Sequence, residues 1–337
     1  MNTMRYKIRF IFLPFLWIAA GFMLVYSFLD WWLVMRPCSL WISEELAYFG
    51  LPFVLPWIPV LIWLRPRIKL LKIKARNVLP YAMVAAFAIG GMTILLQLYI
   101  DTATGQQTNL PKISQIGENK PTKYYAFQDY YVAKELAQTI NRRYVTGKVN
   151  SQHLNFDIFI VVPLLDKEVF VAPPSSDGGK GTLIGEAPEV TPKAATEITQ
   201  RQGRGDASPA HDPLGPQAWL CVRYTKQLSN DHDPSIKDVL WDEFFRASWE
   251  DFRKEGPGRE DYLERTGNNQ DRTYYEKAIK KSPLYTPSSG TLTILTLHPG
   301  PFAQRNGKRL THFLAVCGFG ALIWLLMLLP PALDEIG

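Results

Sequence analysis

The sequence predicts an α-helical membrane bundle of four transmembrane helices joined to an extracytoplasmic α+β domain with a mostly antiparallel sheet. Three observations predict it. Apolar residues crowd about the first hundred positions and the last twenty-five, while the middle is polar and rich in Pro and Gly. The short stretch Arg65 to Arg76 carries Arg65, Arg67, Lys69, Lys72, Lys74 and Arg76 with no anion, and apolar runs flank it. Such a loop stays cytoplasmic, because carrying several Lys and Arg side chains across a bilayer is strongly disfavoured. The polar middle mixes β-branched, alternating runs with one long amphipathic pattern.

The division that follows is residues 1–100 as three transmembrane helices with the basic loop 65–76 inside, 101–310 as the outer domain, and 311–337 as a fourth helix and tail. The first span, Ile11 to about Leu29, follows Arg5, Lys7 and Arg9 and ends at Asp30, Trp31 and Trp32. It is too long for a signal-peptide core and lacks a small-x-small cleavage site. The second, Phe49 to Leu64, contains Pro52, Pro56 and Pro59 and is expected to kink. The third, Leu79 to Ile100, places Gly90 and Gly91 among alanines, which permits close helix approach. The fourth runs from Phe313 to about Leu329. Its flanks break the charge rule, since Arg305, Lys308 and Arg309 lie on the outer side and Asp334 and Glu335 on the inner.

Within the outer domain, extended structure is expected at Tyr124 to Tyr131 and Tyr144 to Val149. Strands are expected at Asn155 to Leu165, Ala218 to Leu228 and Thr291 to Leu297. Helices are expected at Lys134 to Asn141, Ser235 to Lys254 and Asp271 to Lys281, the long one presenting Ile236, Leu240, Trp241, Phe244, Phe245, Trp249 and Phe252 as its apolar face. Residues 172–217 hold clustered Pro, Gly, Ser and Thr and few large apolar groups, the composition of a flexible insertion.

The sequence excludes more chemistry than it offers. The net charge of +6 arises largely from the cations that orient the helices, so it gives no signature of nucleic-acid binding. There is no Gly-x-Ser-Gly or Gly-x-Ser-x-Gly, no His-Glu-x-x-His, no phosphate loop and no dinucleotide fingerprint. His153, His211, His232, His298 and His312 lack metal-ligand spacing, and no cofactor or metal is expected. Cys38 and Cys221 fall on the outer side, where a bridge is open, and Cys317 lies in a span. Tyr124, Tyr125, Phe127, Tyr130 and Tyr131 suggest either a ligand face for peptide or glycan, or cross-strand packing in the core.

Several stretches occur together in a familiar order: Leu64-Arg65-Pro66-Arg67, Thr102-Ala103-Thr104-Gly105, Pro121-Thr122-Lys123-Tyr124-Tyr125, Leu154-Asn155-Phe156, Tyr262-Leu263-Glu264-Arg265-Thr266-Gly267-Asn268 and Arg305-Asn306-Gly307-Lys308. With them the chain resembles the N-terminal membrane and extracytoplasmic region of some rhomboid-family intramembrane proteases of Bacteroidota. The family's catalytic Ser and His lie in a separate six-span domain, and no position here matches their motif. The resemblance therefore implies an accessory module, with a rhomboid protease as one implied partner.

Together these readings lead us to expect a non-enzymatic, multi-pass protein of the bacterial inner membrane. Its periplasmic domain would bind a membrane or periplasmic protein or an envelope ligand. The alternative is a subunit or fragment of a rhomboid-family serine protease whose catalytic domain lies elsewhere.

Overall fold

In a computed structural model, residues 3–35, 41–73, 78–148, 151–167, 216–231, 233–254, 261–287 and 292–332 are described. The expected insertion at 172–217 falls almost wholly outside them, as do Cys38, His211, His232, Lys74 and Arg76. The chain divides into a helical unit, Met1–Gly105 with Gly267–Asn269 and Ala303–Gly337, and a sheet unit, Gln106–Thr266 with Gln270–Phe302.

The helical unit contains four helices long and apolar enough to cross a membrane. We label them α1 (Met4–Met35), α2 (Leu46–Ile68), α3 (Val78–Ala103) and, last in the chain, α6 (Arg309–Met327). Its interior is built from small and medium side chains, among them Ala19, Ala82, Ala85, Ala86 and Ile89, around Phe15 and Trp324. Many of the large apolar groups face outward, with Trp17 77 % and Leu24 70 % exposed. That is the reverse of a water-soluble bundle, in which large apolar side chains fill the core.

The prolines break α2 into short α and π turns. Pro56 has no N–H to offer the carbonyl of Pro52 four residues earlier, and that carbonyl points at Gly90 on α3. A Cβ at 90 would lie 2.7 Å from it, whereas a Cβ at Gly91 would meet nothing within 4 Å. The glycine pair therefore divides its work, Gly90 making the close crossing and Gly91 facing open space.

The sheet unit is α+β. Its strands are β1 (Gln107–Leu110), β2 (Tyr124–Phe127), β3 (Tyr131–Val132), β4 (Gln138–Lys148), β5 (Ser151–Leu165), β6 (Ala218–Ser229), β7 (Tyr262–Arg265) and β8 (Thr293–His298). They form one mixed sheet in the order β1-β2-β7-β8-β6-β5-β3, with β4 also paired to β5. The expectation of an antiparallel sheet needs correction at two places, since β1 pairs β2 in parallel and β6 pairs β8 in parallel. In each pair a long excursion returns the chain to the same end of the sheet, as parallel pairing requires. After β6 that excursion contains α4 (Pro234–Lys254), β7 and α5 (Gln270–Ile279).

The near-continuous apolar run of β5 is explained by cover on both faces. Phe156, Ile158, Ile160 and Val162 pack with Trp241 and Phe252 of α4. Phe159 and Val161 face the other way, against Tyr275, Ala278 and Ile279 of α5. Asp157 shares that second face. It is buried, and Arg223 of β6 reaches it at 3.1 Å while also meeting Asp271 of α5 at 2.8 Å. Nearby, Arg272 of α5 donates to the carbonyls of Thr266 (2.9 Å) and Leu292 (2.8 Å) and to Glu276, which ties that helix to the strand ends.

Two further expectations are corrected. The helix expected at Lys134 to Asn141 is a single 3₁₀ turn, Lys134–Leu136, followed by β4. Its helix-forming residues yield because β4 pairs β5 without a break from Gln138 to Lys148, and a ladder of that length outweighs small propensity differences. The extended run at Tyr124 to Tyr131 is split, β2 pairing β1 and β7 while β3 pairs the far end of β5.

Candidate functional site

The two ends of the helical unit differ in charge. At one end the Lys7 ammonium is buried and donates to the last carbonyls of the bundle, Leu328 (2.8 Å) and Leu329 (3.2 Å). The amide of Lys72 bonds Ala332 at 2.7 Å, and Arg67 donates back to Trp63. The start of α1, the basic stretch after α2 and the end of α6 therefore meet, bringing Lys7, Arg65, Arg67, Lys69 and Lys72 to one end of the unit. Helix C-termini leave carbonyls without partners and carry partial negative charge. Lys7 supplies the cation that residues 328–337 lack.

At the other end the cations that break the charge rule have a structural use. Arg305 donates to the carbonyls of Thr102 (2.9 Å) and Ala103 (3.0 Å), and Arg309 to that of Leu98 (2.9 Å). Thr102 and Ala103 supply the last carbonyls of α3, and Leu98 lies about one turn before them. Two of the stretches quoted for the family resemblance, Thr102-Ala103 and Arg305, thus meet in space. A third does the same with the start of α2: the amide of Glu44 bonds Asn268 at 2.9 Å, its carboxylate accepts from Asn269 at 2.9 Å, and a Cβ at Gly267 would overlap that carboxylate.

The same end of the helical unit holds a buried polar cluster that the sequence pattern does not announce. The pattern puts Asp30 at the end of its span, but α1 continues to Met35, and Asp30 is 6 % exposed. From α1, Tyr26, Ser27 and Asp30 share a face at i, i+1 and i+4. The Tyr26 hydroxyl donates to the carbonyl of Ala47 on α2 at 2.7 Å. Gln97 of α3, fully buried, lies against both Tyr26 and Asp30. Neither its Oε1 nor its Nε2 reaches hydrogen-bond geometry with a protein group, and the same is true of Asp30 Oδ2 and Ser27 Oγ. The charged neighbour acting on Asp30 is another carboxylate, Asp101, which is also beside Tyr48. Turns of π-helix, Trp31–Met35 and Leu46–Gly50, adjoin the cluster on α1 and α2. The available signal is Gln97 and Asp101, four residues apart in an otherwise apolar span.

The five aromatics singled out from the sequence separate. Tyr124 and Tyr125 are each 1 % exposed. Tyr124 packs edge-on against Tyr262 and Phe302, and Tyr125 stacks on Phe127 at 5.9 Å. Only Phe127, Tyr130 and Tyr131 keep partial exposure, so core packing accounts for the first two. Burial pushes Tyr130 and Tyr131 up to about 12, with Asp261 and Glu135 respectively adding to the effect.

Beside them, Glu264 bridges His298 (2.8 Å) and Lys123 (3.3 Å). Burial alone would raise its pKa, but the hydrogen bond from His298 and the charge of Lys123 hold it below the usual glutamate range. In the core, burial pushes the Cys221 thiol well up, opposed by Arg272, so it has little thiolate character. Among the described residues no group of three or more His, Cys, Asp or Glu is arranged to hold a metal ion.

Compared with protein-family models, curated proteins and solved structures, the chain matches none of them.

Proposed function

We propose that the chain is a multi-pass protein of the bacterial inner membrane with no catalytic centre of its own, whose sheet unit lies in the periplasm and binds an extended segment of another protein. Membrane insertion is supported by the outward-facing large side chains of the helical unit. The orientation is supported by the gathering of Lys7, Arg65, Arg67, Lys69 and Lys72 at one end, since cytoplasmic loops carry the excess of Lys and Arg.

The binding half rests on β4. This eleven-residue strand pairs β5 along one edge, and no other described strand pairs it. An open edge of that length is a template for strand addition, in which main-chain hydrogen bonds supply affinity. Arg142 and Lys148 lie along it, while Arg143 is paired with Asp238 of α4 at 2.9 Å; the strand's remaining cations favour an acidic, extended peptide.

The test places a photo-crosslinking residue at Val145, which is 48 % exposed, and as control at Glu243 on the outer side of α4. A specific protein adduct from position 145 and none from 243 is expected; equal labelling at both positions, or none at 145, overturns the reading. Orientation is tested separately. A reporter active only in the periplasm should be active after Gly258 and silent in the loop at Lys69.

A second reading, which rests on the resemblance alone, takes the chain as a subunit or fragment of a rhomboid-family serine protease whose catalytic domain lies elsewhere. A neighbouring reading frame encoding a six-span, Gly-x-Ser-Gly product is its expected companion, and an unrelated neighbour counts against it.

A further inference from the structure

We propose that Asp30, Gln97 and Ser27 form a binding site for one small monovalent cation, with sodium as the hard ion whose preference for oxygen they suit. The inference is independent of what the sheet unit binds.

Burying an amide without partners costs several kcal/mol, and an uncompensated carboxylate costs more. Here both sit side by side, with Gln97 fully buried and Asp30 nearly so, and Asp30 Oδ2, Gln97 Oε1 and Ser27 Oγ lack protein partners. The Tyr26 hydroxyl donates to the Ala47 carbonyl. The Gln97 amide lies against both Tyr26 and Asp30, yet neither of its polar atoms completes a hydrogen bond with a protein group. Buried oxygens left open in this way beside a carboxylate are matched by a positive centre among them.

No described cation acts on Asp30, whose charged neighbour is Asp101. Tyr48 and Glu44 add no positive charge, and Arg305 and Arg309 are engaged with carbonyls in the last turns of α3. Water would satisfy the lone pairs but leave the carboxylate charge in place. A hard cation satisfies both.

The backbone supports the same reading. Asp30 immediately precedes one π-helical segment, and Ala47 lies in another. Such turns recur at functional sites, and irregular helix in membrane proteins supplies carbonyl oxygens to coupling ions. An ionisable side chain buried between apolar helices is itself a marker of such a site. With one full carboxylate and neutral oxygens, and no cluster of three or more metal-ligating side chains among the described residues, the set suits a monovalent ion over a transition metal.

The experiment is thermal unfolding of the full chain in detergent at pH 7.5, with NaCl replaced stepwise by choline chloride at fixed ionic strength. A saturable rise of about 5 °C with sodium is expected. Asp30→Asn should abolish it. Thr93→Val should keep it, because the buried Thr93 hydroxyl already bonds Ile89 at 2.8 Å and is not a ligand. If Asp30→Asn does not fold, Ser27→Ala, which removes a neutral ligand, must weaken half-saturation by roughly tenfold. A midpoint indifferent to sodium overturns the proposal. So does a midpoint that moves between pH 6 and 8 but not with sodium, since the positive centre is then a proton.

Discussion

Replacing Gly90 by alanine tests the close crossing of α2 and α3. The added methyl would lie 2.7 Å from the Pro52 carbonyl oxygen and 3.3 Å from Phe53 Cδ1, where ordinary contact begins at 3.4 Å. The nearer atom is backbone on a proline-broken helix and has no rotamer to yield, so the helices must separate by about 0.7 Å at this point. Overpacking of this kind costs about 1–3 kcal/mol, partly offset by the roughly 1 kcal/mol advantage of Ala over Gly in a helix. Gly91→Ala gains the same propensity and meets nothing. The two variants should therefore differ by about 2 kcal/mol, with Gly90→Ala the less stable, which is roughly 3 °C in a protein of this size. Tryptophan fluorescence during thermal unfolding in detergent reads the difference. Should Gly90→Ala melt at or above Gly91→Ala, the carbonyl-to-glycine contact is not what sets the helix spacing.

Three other outcomes follow from the same structure. Lys7→Met should remove the bonds to Leu328 and Leu329 and cost about 1–3 kcal/mol, seen as faster amide exchange at Leu328 and Leu329 while α3 is unchanged. Arg223→Met leaves Asp157 buried without its cation and should destabilise the sheet unit by about 3–5 kcal/mol. The double variant with Asp157→Asn should recover much of that loss in chemical denaturation. Because the pKa of Glu264 is lowered on folding, its contribution is complete above the unfolded value of about 4.3 and disappears as pH falls through the lower folded value. Stability measured from pH 6 to 3 should fall more steeply in the wild type than in Glu264→Gln, and equal slopes would remove the role assigned to His298 and Lys123.

What can be read from the sequence is whatever local pattern and charge decide. The four apolar helices are visible because each is long and its flanks differ in charge, and α4 because its apolar residues recur at helical spacing. Strand β5 is visible because its unbroken run of Ile, Val and Phe is β-branched and aromatic and too short for a span. The rest depends on partners distant in sequence. β1 and β7 are four residues each and take their form from neighbours in the sheet. The approach to β4 reads as helix because Lys-Glu-Leu-Ala-Gln favours one until the ladder with β5 is considered.

The polar cluster is hidden for a different reason. Asp30, with tryptophans after it, has the look of a helix end at an interface, and only the continuation of α1 to Met35 with Gln97 opposite reveals it as interior. Likewise Arg305 and Arg309 contradict the topology until their carbonyl partners on α3 are known.

The contact between Lys7 and the carbonyls of Leu328 and Leu329 joins residues more than three hundred positions apart. An ammonium group placed so early has no lasting partner while the intervening residues are still being made. The helical unit therefore cannot settle into its final arrangement until the ribosome has delivered α6, and every residue of the sheet unit precedes that moment. Closure of the bundle thus waits on translation of its fourth helix.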